Sequence, residues 1–146
     1  MRVLGLDMGT KTIGVALSDE AGMTAQPVMT LKRKGMDADI RALKKSIDEN
    51  DVMTIVVGMP INMDGSMGER SRQVEAFIGR LKATTGLPVI AWDERLSTVA
   101  VTRVLIDGDV SRKKRKEVVD KMAASYILQG YLDSLSGPRN ASARQG

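Results

Sequence analysis

The chain has 146 residues, no cysteine and no histidine, and 22 Lys and Arg against 18 Asp and Glu. Disulfides, zinc–thiolate sites and thiol catalysis are excluded, and so are Ser-His-Asp and Cys-His triads, histidine metal ligands and histidine general bases. Hydrolytic chemistry must rest on carboxylates, lysine, hydroxyls or a metal held by oxygen, and oxygen-only ligation favours hard ions such as Mg²⁺ or Mn²⁺.

Val3, Leu4 and Leu6 form a short apolar run, and Ile13, Val15 and Leu17 alternate with Gly14, Ala16 and Ser18, which is strand periodicity. Asp7-Met8-Gly9-Thr10-Lys11 between them has the small and polar residues of a tight turn. The segment therefore reads as a β-hairpin with Asp7 at the end of its first strand. Asp19-Glu20-Ala21-Gly22 is a second turn. A third strand is predicted over 25–31, at the sheet edge or carrying a bulge, because Pro27 has no N–H to donate. The basic turn Lys32-Arg33-Lys34-Gly35 leads into a helix over 36–49, with Met36, Ile40, Leu43 and Ile47 at helical spacing and Asp37 and Asp39 in its first turn. The run V-M-T-I-V-V-G at 52–58 suits a central strand covered on both faces.

Residues 60–68 (P-I-N-M-D-G-S-M-G) have the composition of an exposed loop. The next helix places Val74, Phe77, Ile78 and Leu81 on one face, and Gly86 and Pro88 stop it. A fifth strand over 89–92 runs straight into Asp93-Glu94-Arg95. Ser97 or Thr98 can cap a short helix through Ile106 that Asp107-Gly108 ends. Five consecutive cations follow at 112–116 (R-K-K-R-K). The last helix is predicted from about Val118 to Ser134, with Val119, Met122, Ala123, Tyr126 and Ile127 on its buried stripe.

This order, a three-strand meander followed by strands alternating with helices, predicts an α/β fold. Its core is a mixed five-stranded sheet, antiparallel meander plus parallel strands, with helices on both faces. In such sheets ligands sit beyond the carboxyl ends of the parallel strands. One domain over 1–135 is expected, with a small, polar, disordered tail over 136–146. No run approaches the roughly 18 apolar residues of a membrane span. The first strand begins at the N-terminus and leaves no room for a signal peptide, so a cytoplasmic protein is expected. The basic pI, near 9.5, leans towards a polyanionic partner.

An ionised carboxylate is costly to bury unless a cation meets it. Asp7 can meet that requirement by binding a divalent metal, or can simply accept backbone N–H bonds in its turn. Asp93 and Glu94 follow the fifth strand, and Asp120 sits on the final helix. Acids often cap strands, and the helix dipole favours an acid in a first turn. Ala123 and Ala124, one turn after Asp120, nevertheless let that helix approach the sheet closely and bring Asp120 to the strand ends. Three converging acids with no histidine are the pattern of a two-metal phosphodiester hydrolase, in which ions about 4 Å apart activate water and stabilise the leaving oxygen.

Four segments spread from end to end carry a resemblance. They are G-L-D-M-G-T-K-T-I-G-V-A-L-S-D at 5–19, V-G-M-P-I-N-M-D-G-S at 57–66, D-E-R-L-S-T at 93–98 and V-D-K-M-A-A-S-Y-I-L-Q-G-Y-L at 119–132. Together, in this order, they resemble the YqgF/RuvX family of bacterial nucleases. The resemblance implies a ribonuclease H-like fold, catalytic and metal-holding acids at Asp7, Glu94 and Asp120, and a role in maturing the 5′ end of pre-16S rRNA in ribosome biogenesis. It also implies nucleic acid and ribosomal particles as partners, and the older family assignment, Holliday-junction resolution, is the alternative. Met8, Met59 and Met67 depart from commoner residues at variable motif positions and touch no expected ligand.

The remaining candidates have a structural role open beside a functional one. Lys11 can meet a phosphate near Asp7 or be solvated. Arg95 can clamp a phosphate bidentately or pair with Glu94 or Asp93, and Asp93 reads as support. Asn62, Asp64 and Ser66 can line a substrate groove or serve only the turn. Arg112, Lys113, Lys114 and Arg115, beside a metal site, suit nucleic-acid phosphates, or form a solvated linker. Trp92 and Phe77 read as core. Two other functions compete: an actin-type ATP-binding domain, suggested by Asp7-Met8-Gly9-Thr10, and an RNA-binding module without catalysis. The first needs a second domain and a second phosphate loop; the second leaves the three acids unexplained. With one Trp, one Phe and two Tyr in the chain, material for an obligate interface is thin, and a monomer is expected.

Overall fold

Alternation divides the first hairpin between two environments. In β1 (Arg2–Met8) and β2 (Thr12–Ser18) successive side chains point to opposite faces. Leu4, Leu6, Met8, Ile13 and Val15 serve one core, and Val3 and Ala16 the other. The computed structural model describes residues 1–96 and 112–135, with the backbone alone at 112–119. The hairpin is followed by β3 (Ala25–Lys32), α1 (Met36–Glu49), β4 (Val52–Met59), α2 (Glu69–Thr85), β5 (Val89–Asp93), a single 3-10 turn at Glu94–Leu96, and α3 (Arg112–Leu135). The short helix expected to start at Ser97 or Thr98 and the tail from 136 lie outside the described residues.

The strands form one sheet in the order β3-β2-β1-β4-β5. β1–β2 and β2–β3 are antiparallel, and β1–β4 and β4–β5 are parallel. This is the mixed sheet the sequence predicts. Pro27 is placed for both expected reasons: β3 is an edge strand, and the ladder shifts register opposite Pro27, between Val15 and Ala16.

Helices cover both faces. Ile40, Leu43 and Ile47 of α1 and Val74, Phe77, Ile78 and Leu81 of α2 pack on Leu4, Leu6, Ile13, Ile55 and Val57. Each such side chain, fully buried, contributes roughly 1.5–3 kcal/mol. α2 ends as expected at Gly86, whose φ of 69° is the left-handed cap and whose N–H reaches the Lys82 carbonyl at 2.9 Å. On the opposite face α3 is the one helix among the described residues, and it packs through Ala123, Ala124, Ile127, Leu128 and Leu132 against Ala16 and Val56. Among the described residues no helix is long and apolar enough to cross a membrane.

Two features of α3 differ from expectation. The helix begins at Arg112, not near Val118, so the run 112–116 is helical and not a linker. Lys and Arg are good helix formers, and the apolar periodicity that marks a helix starts only after them. The buried stripe is also rotated, because Met122 and Tyr126 are half-buried while Ala124 and Leu128 are fully buried. The sheet beneath presents glycines there, and the helix lays its backbone at Asp120 and Ala124 and the side chains of Ile127 and Leu128 against them.

Candidate active site

Sheet register builds the site. Asp7 lies directly across the β1–β2 ladder from Gly14. On its other side the β1–β4 ladder ends at Leu6 and Val57, one residue short of Gly58. Asp7 therefore stands in a row between two glycines, at the carboxyl ends of the parallel strands. A Cβ on Gly14 would overlap the Asp120 carbonyl oxygen, so α3 rests on bare backbone at that point. A Cβ on Gly58 would overlap Ile127 Cδ1 and lie 2.9 Å from Glu94 Oε1. Gly5 repeats the device further along α3, where a Cβ would lie 3.1 Å from the Ala124 carbonyl oxygen, one turn on, and 2.7 Å from Leu128 Cβ, two turns on. The glycines let the helix and the Glu94 side chain settle on either side of Asp7.

The three acids line one cavity of about 350 Å³, together with Met8, Gly9, Thr10, Pro60 and Arg70. Asp7 and Asp120 are buried, at 2% and 8% exposure, and Glu94 is half-buried. The Thr12 hydroxyl donates to Asp120 Oδ2 and fixes that carboxylate from the hairpin. Arginines from two other elements hold the turn that follows Asp7. Arg70 Nη2 donates to the Met8 carbonyl at 2.6 Å, and Arg33 Nη1 to the Gly9 carbonyl at 3.0 Å. Buried Asp39 in turn accepts from the Lys34 N–H at 2.9 Å and pairs with Arg33 at 3.4 Å. Thr12, Arg70, Gly14 and Gly58 are not singled out by the sequence. The small face of β2, Gly14 and Ala16, is the available signal for the glycines; nothing local marks Arg70.

The other predicted substrate-binding residues are not among the described residues lining this cavity. Lys11 is exposed. Asn62 and Ser66 are bonded within their own loop: Asn62 Nδ2 to Ser66 Oγ at 3.0 Å, and the Ser66 N–H to Asp64 Oδ1 at 2.9 Å. The Ser66 hydroxyl, first, and its N–H hold the Asp64 carboxyl below the usual carboxylate range. The backbone at 112–115 forms the start of α3, and a 1.5 Å rise per residue sets it roughly 8–12 Å along the axis from Asp120. Phe77 is core, at 1% exposure, and Trp92 packs edge-on against Tyr131 with ring centroids 6.1 Å apart.

Arg95 takes its structural alternative. Its Nη2 reaches Asp93 Oδ2 at 2.7 Å, its Nε reaches both carboxylate oxygens, and its N–H caps Asp93 Oδ1 at 2.9 Å. This guanidinium holds the Asp93 carboxyl below its ordinary value of 3.8. A depressed folded-state pKa contributes stability that is full above the unfolded-state value and is lost as pH falls through the folded one. The stability advantage of the parent over Asp93→Asn should therefore be constant near neutrality, begin to fall at about pH 4 and disappear only below the lowered folded-state value. Denaturant melts of both across pH check this.

Comparisons with known proteins identify the family and the fold. A family model described as "RuvX: Holliday junction resolvase" matches residues 1–134. A protein of Clostridium kluyveri named "Putative pre-16S rRNA nuclease" is 54% identical over 136 residues, 93% of this chain and 99% of that one. One of the same name from Moorella thermoacetica is 54% identical, covering 92% and 96%. Among solved structures, Thermus thermophilus RuvC in complex with a Holliday junction superposes with a TM-score of 0.58 at 12% identity, covering 92% of this chain and 96% of that one. The fowlpox virus Holliday junction resolvase gives 0.53 at 16% identity, covering 92% and 99%. At these identities the structural likeness establishes the fold, which is ribonuclease H-like.

Proposed function

Because the chain belongs to the RuvX family, we propose that it is a nuclease that hydrolyses phosphodiester bonds in the maturation of pre-16S rRNA, with Asp7, Glu94 and Asp120 as the groups that hold divalent metal. The observation that carries this reading is the convergence of the three acids on one cavity across a row of glycines. The donor set is all oxygen, which fits Mg²⁺ or Mn²⁺. Among the described residues no three His, Cys, Asp or Glu side chains are gathered closely enough to hold an ion as they stand, so closure of the carboxylates on the ion is part of the proposal. When bound, the ion supplies an activated water and neutralises the leaving oxygen.

The protein's own groups do the rest. Thr12 holds Asp120 in place, and Arg70 sets a guanidinium at the rim where a phosphate would lie. Asp93 aims and neutralises Arg95, leaving Glu94 as the acid that reaches the cavity from this turn. The cationic start of α3 supplies charge for the flanking phosphates. Neutralising Arg112, Lys113, Lys114 and Arg115 should weaken substrate binding more than it slows cleavage. For a single strand, the slope of log K against log salt should flatten by roughly 0.7 for every phosphate left without its cation. Binding and turnover measured at several salt concentrations separate the two effects; an unchanged slope with a lower kcat would assign the run to the active site instead.

The family description keeps junction resolution as the second reading. A resolvase makes two symmetry-related cuts and works as a two-fold dimer, with apolar and aromatic residues at the centre of its interface. Among the described residues Phe77 is core, and Trp92 and Tyr131 pack on each other. This favours a monomer acting on single-stranded or end-proximal RNA. The test is cleavage by the purified chain with Mn²⁺ of single-stranded RNA, duplex and a four-way junction, with sedimentation alongside. RNA cut by a monomer is the expected result. A stable dimer that nicks junctions at paired positions and ignores RNA would establish the second reading.

A further inference from the structure

A second cavity, of about 580 Å³, adjoins the acid-lined one. The two share a wall, Met8-Gly9-Thr10, and one side chain, Arg70. The second is closed by the basic turn before α1, through Arg33 and Met36, and by one side of α2, through Gln73, Val74 and Ala76. Its size is that of small-molecule sites, about 300–1,000 Å³. Its charge is unevenly disposed. Arg33 is neutralised by buried Asp39. Arg70 uses one donor on the Met8 carbonyl, while a guanidinium carries five. A cation with donors to spare thus stands at the seam between a carboxylate site and a partly apolar hollow with an amide, Gln73, at its edge.

We infer that this cavity is a subsite for one unpaired nucleotide of the substrate strand, adjacent to the nucleotide that is cut. The inference rests on the nuclease reading for the identity of the strand. Arg70 meets the phosphate shared by the two nucleotides. Half-buried Met36, with the edges of Met8 and Val74 behind it, offers apolar surface to the base, and the Gln73 amide can donate to and accept from a base edge. A base lodged between the turn and α2 cannot keep a pairing partner, so the cavity selects single-stranded or frayed substrate.

The test reads binding, not cleavage. The probe is a stem–loop RNA with a short single-stranded tail, made as a series with one abasic nucleotide at each tail position. Affinity is measured by anisotropy with the full chain in Ca²⁺, whose looser geometry satisfies carboxylates without the octahedral order of Mg²⁺. With the parent, one tail position should be sensitive, its abasic form binding about tenfold more weakly, the scale of removing one base from its platform. Ala76→Phe fills the cavity from an exposed helix position. It should weaken the intact RNA by a similar factor and erase the abasic effect, and Gln73→Ala should reduce both by less. A flat abasic profile, no binding of the RNA, or a parental profile in Ala76→Phe overturns the subsite. A parent that shows the abasic signature but cuts nothing in Mn²⁺ keeps the subsite and removes the nuclease reading; one that cuts without the signature does the reverse.

Discussion

Asp7→Asn will lower RNA cleavage by at least about a hundredfold while leaving the protein folded and able to bind RNA. Residues that merely orient a metal ligand cost 10–100-fold when changed, so loss of a ligand should cost no less. The side chain is 2% exposed, its residue faces Gly14 across the β1–β2 ladder, and Asn keeps its volume. Three carboxylates around one cavity also repel one another without an ion. The metal-free variant should therefore melt no lower than the parent. Glu94→Gln and Asp120→Asn should behave alike, and a double variant should lose little more than either single one, since groups acting as a unit fail together. Rates, melting curves and RNA affinities of the parent and the four variants check each part. Parental turnover by Asp7→Asn would remove the assignment.

Gly14→Ala should damage stability and activity together, an unusual result for one methyl group. The added Cβ overlaps the backbone oxygen of Asp120, which no rotamer change can move, so α3 must shift from the sheet and take Asp120 with it. Overpacking of this kind costs about 1–3 kcal/mol. Cleavage should fall at least about tenfold under conditions where the variant is fully folded, because a displacement near 1 Å can cost a hundredfold. Gly58→Ala should be milder in stability, since it meets the movable end of Ile127 and the Glu94 side chain, yet it should still slow cleavage. Gly79→Ala is the control. Gly79 lies in the exposed interior of α2 with nothing within 4 Å of an added Cβ, and the change should stabilise by roughly 0.4–1 kcal/mol. Thermal melts and single-turnover rates of the three variants give the comparison. Equal behaviour of Gly14→Ala and Gly79→Ala would mean that the helix is not seated as described.

Much of this architecture is legible in the chain because it depends on local periodicity. Ile40, Leu43 and Ile47, or Val74, Phe77, Ile78 and Leu81, announce a buried helix face by spacing alone, and Pro27 announces an edge by lacking a donor. Asp7, Asp120 and the pair Asp93-Glu94 stand out because each follows or faces a strand end, and it is the family resemblance that picks Glu94 from that pair. What brings them together is not local. The pairing of Asp7 with Gly14, and of Leu6 with Val57, is a property of register between distant strands, and only the register shows Gly14 and Gly58 as a saddle for Asp120 and Glu94. Arg70 escapes notice for the same reason, since its partner, the Met8 carbonyl, is 62 residues away. Arg95 shows the reverse case. Both of its roles are open in D-E-R, and a carboxylate two residues away captures it. The start of α3 is hidden because cations carry no apolar period, although their backbone helix propensity is high.

The measurement that bears most directly on the central claim is a Mn²⁺ titration of the parent and Asp7→Asn, following bound ion and RNA cleavage in the same samples. Saturable binding by the parent, cleavage rising along the same curve, and affinity at least about tenfold weaker in the variant is the predicted result. Cleavage that proceeds undiminished in chelator, or superimposable binding curves for the two proteins, would contradict a metal centre built on Asp7.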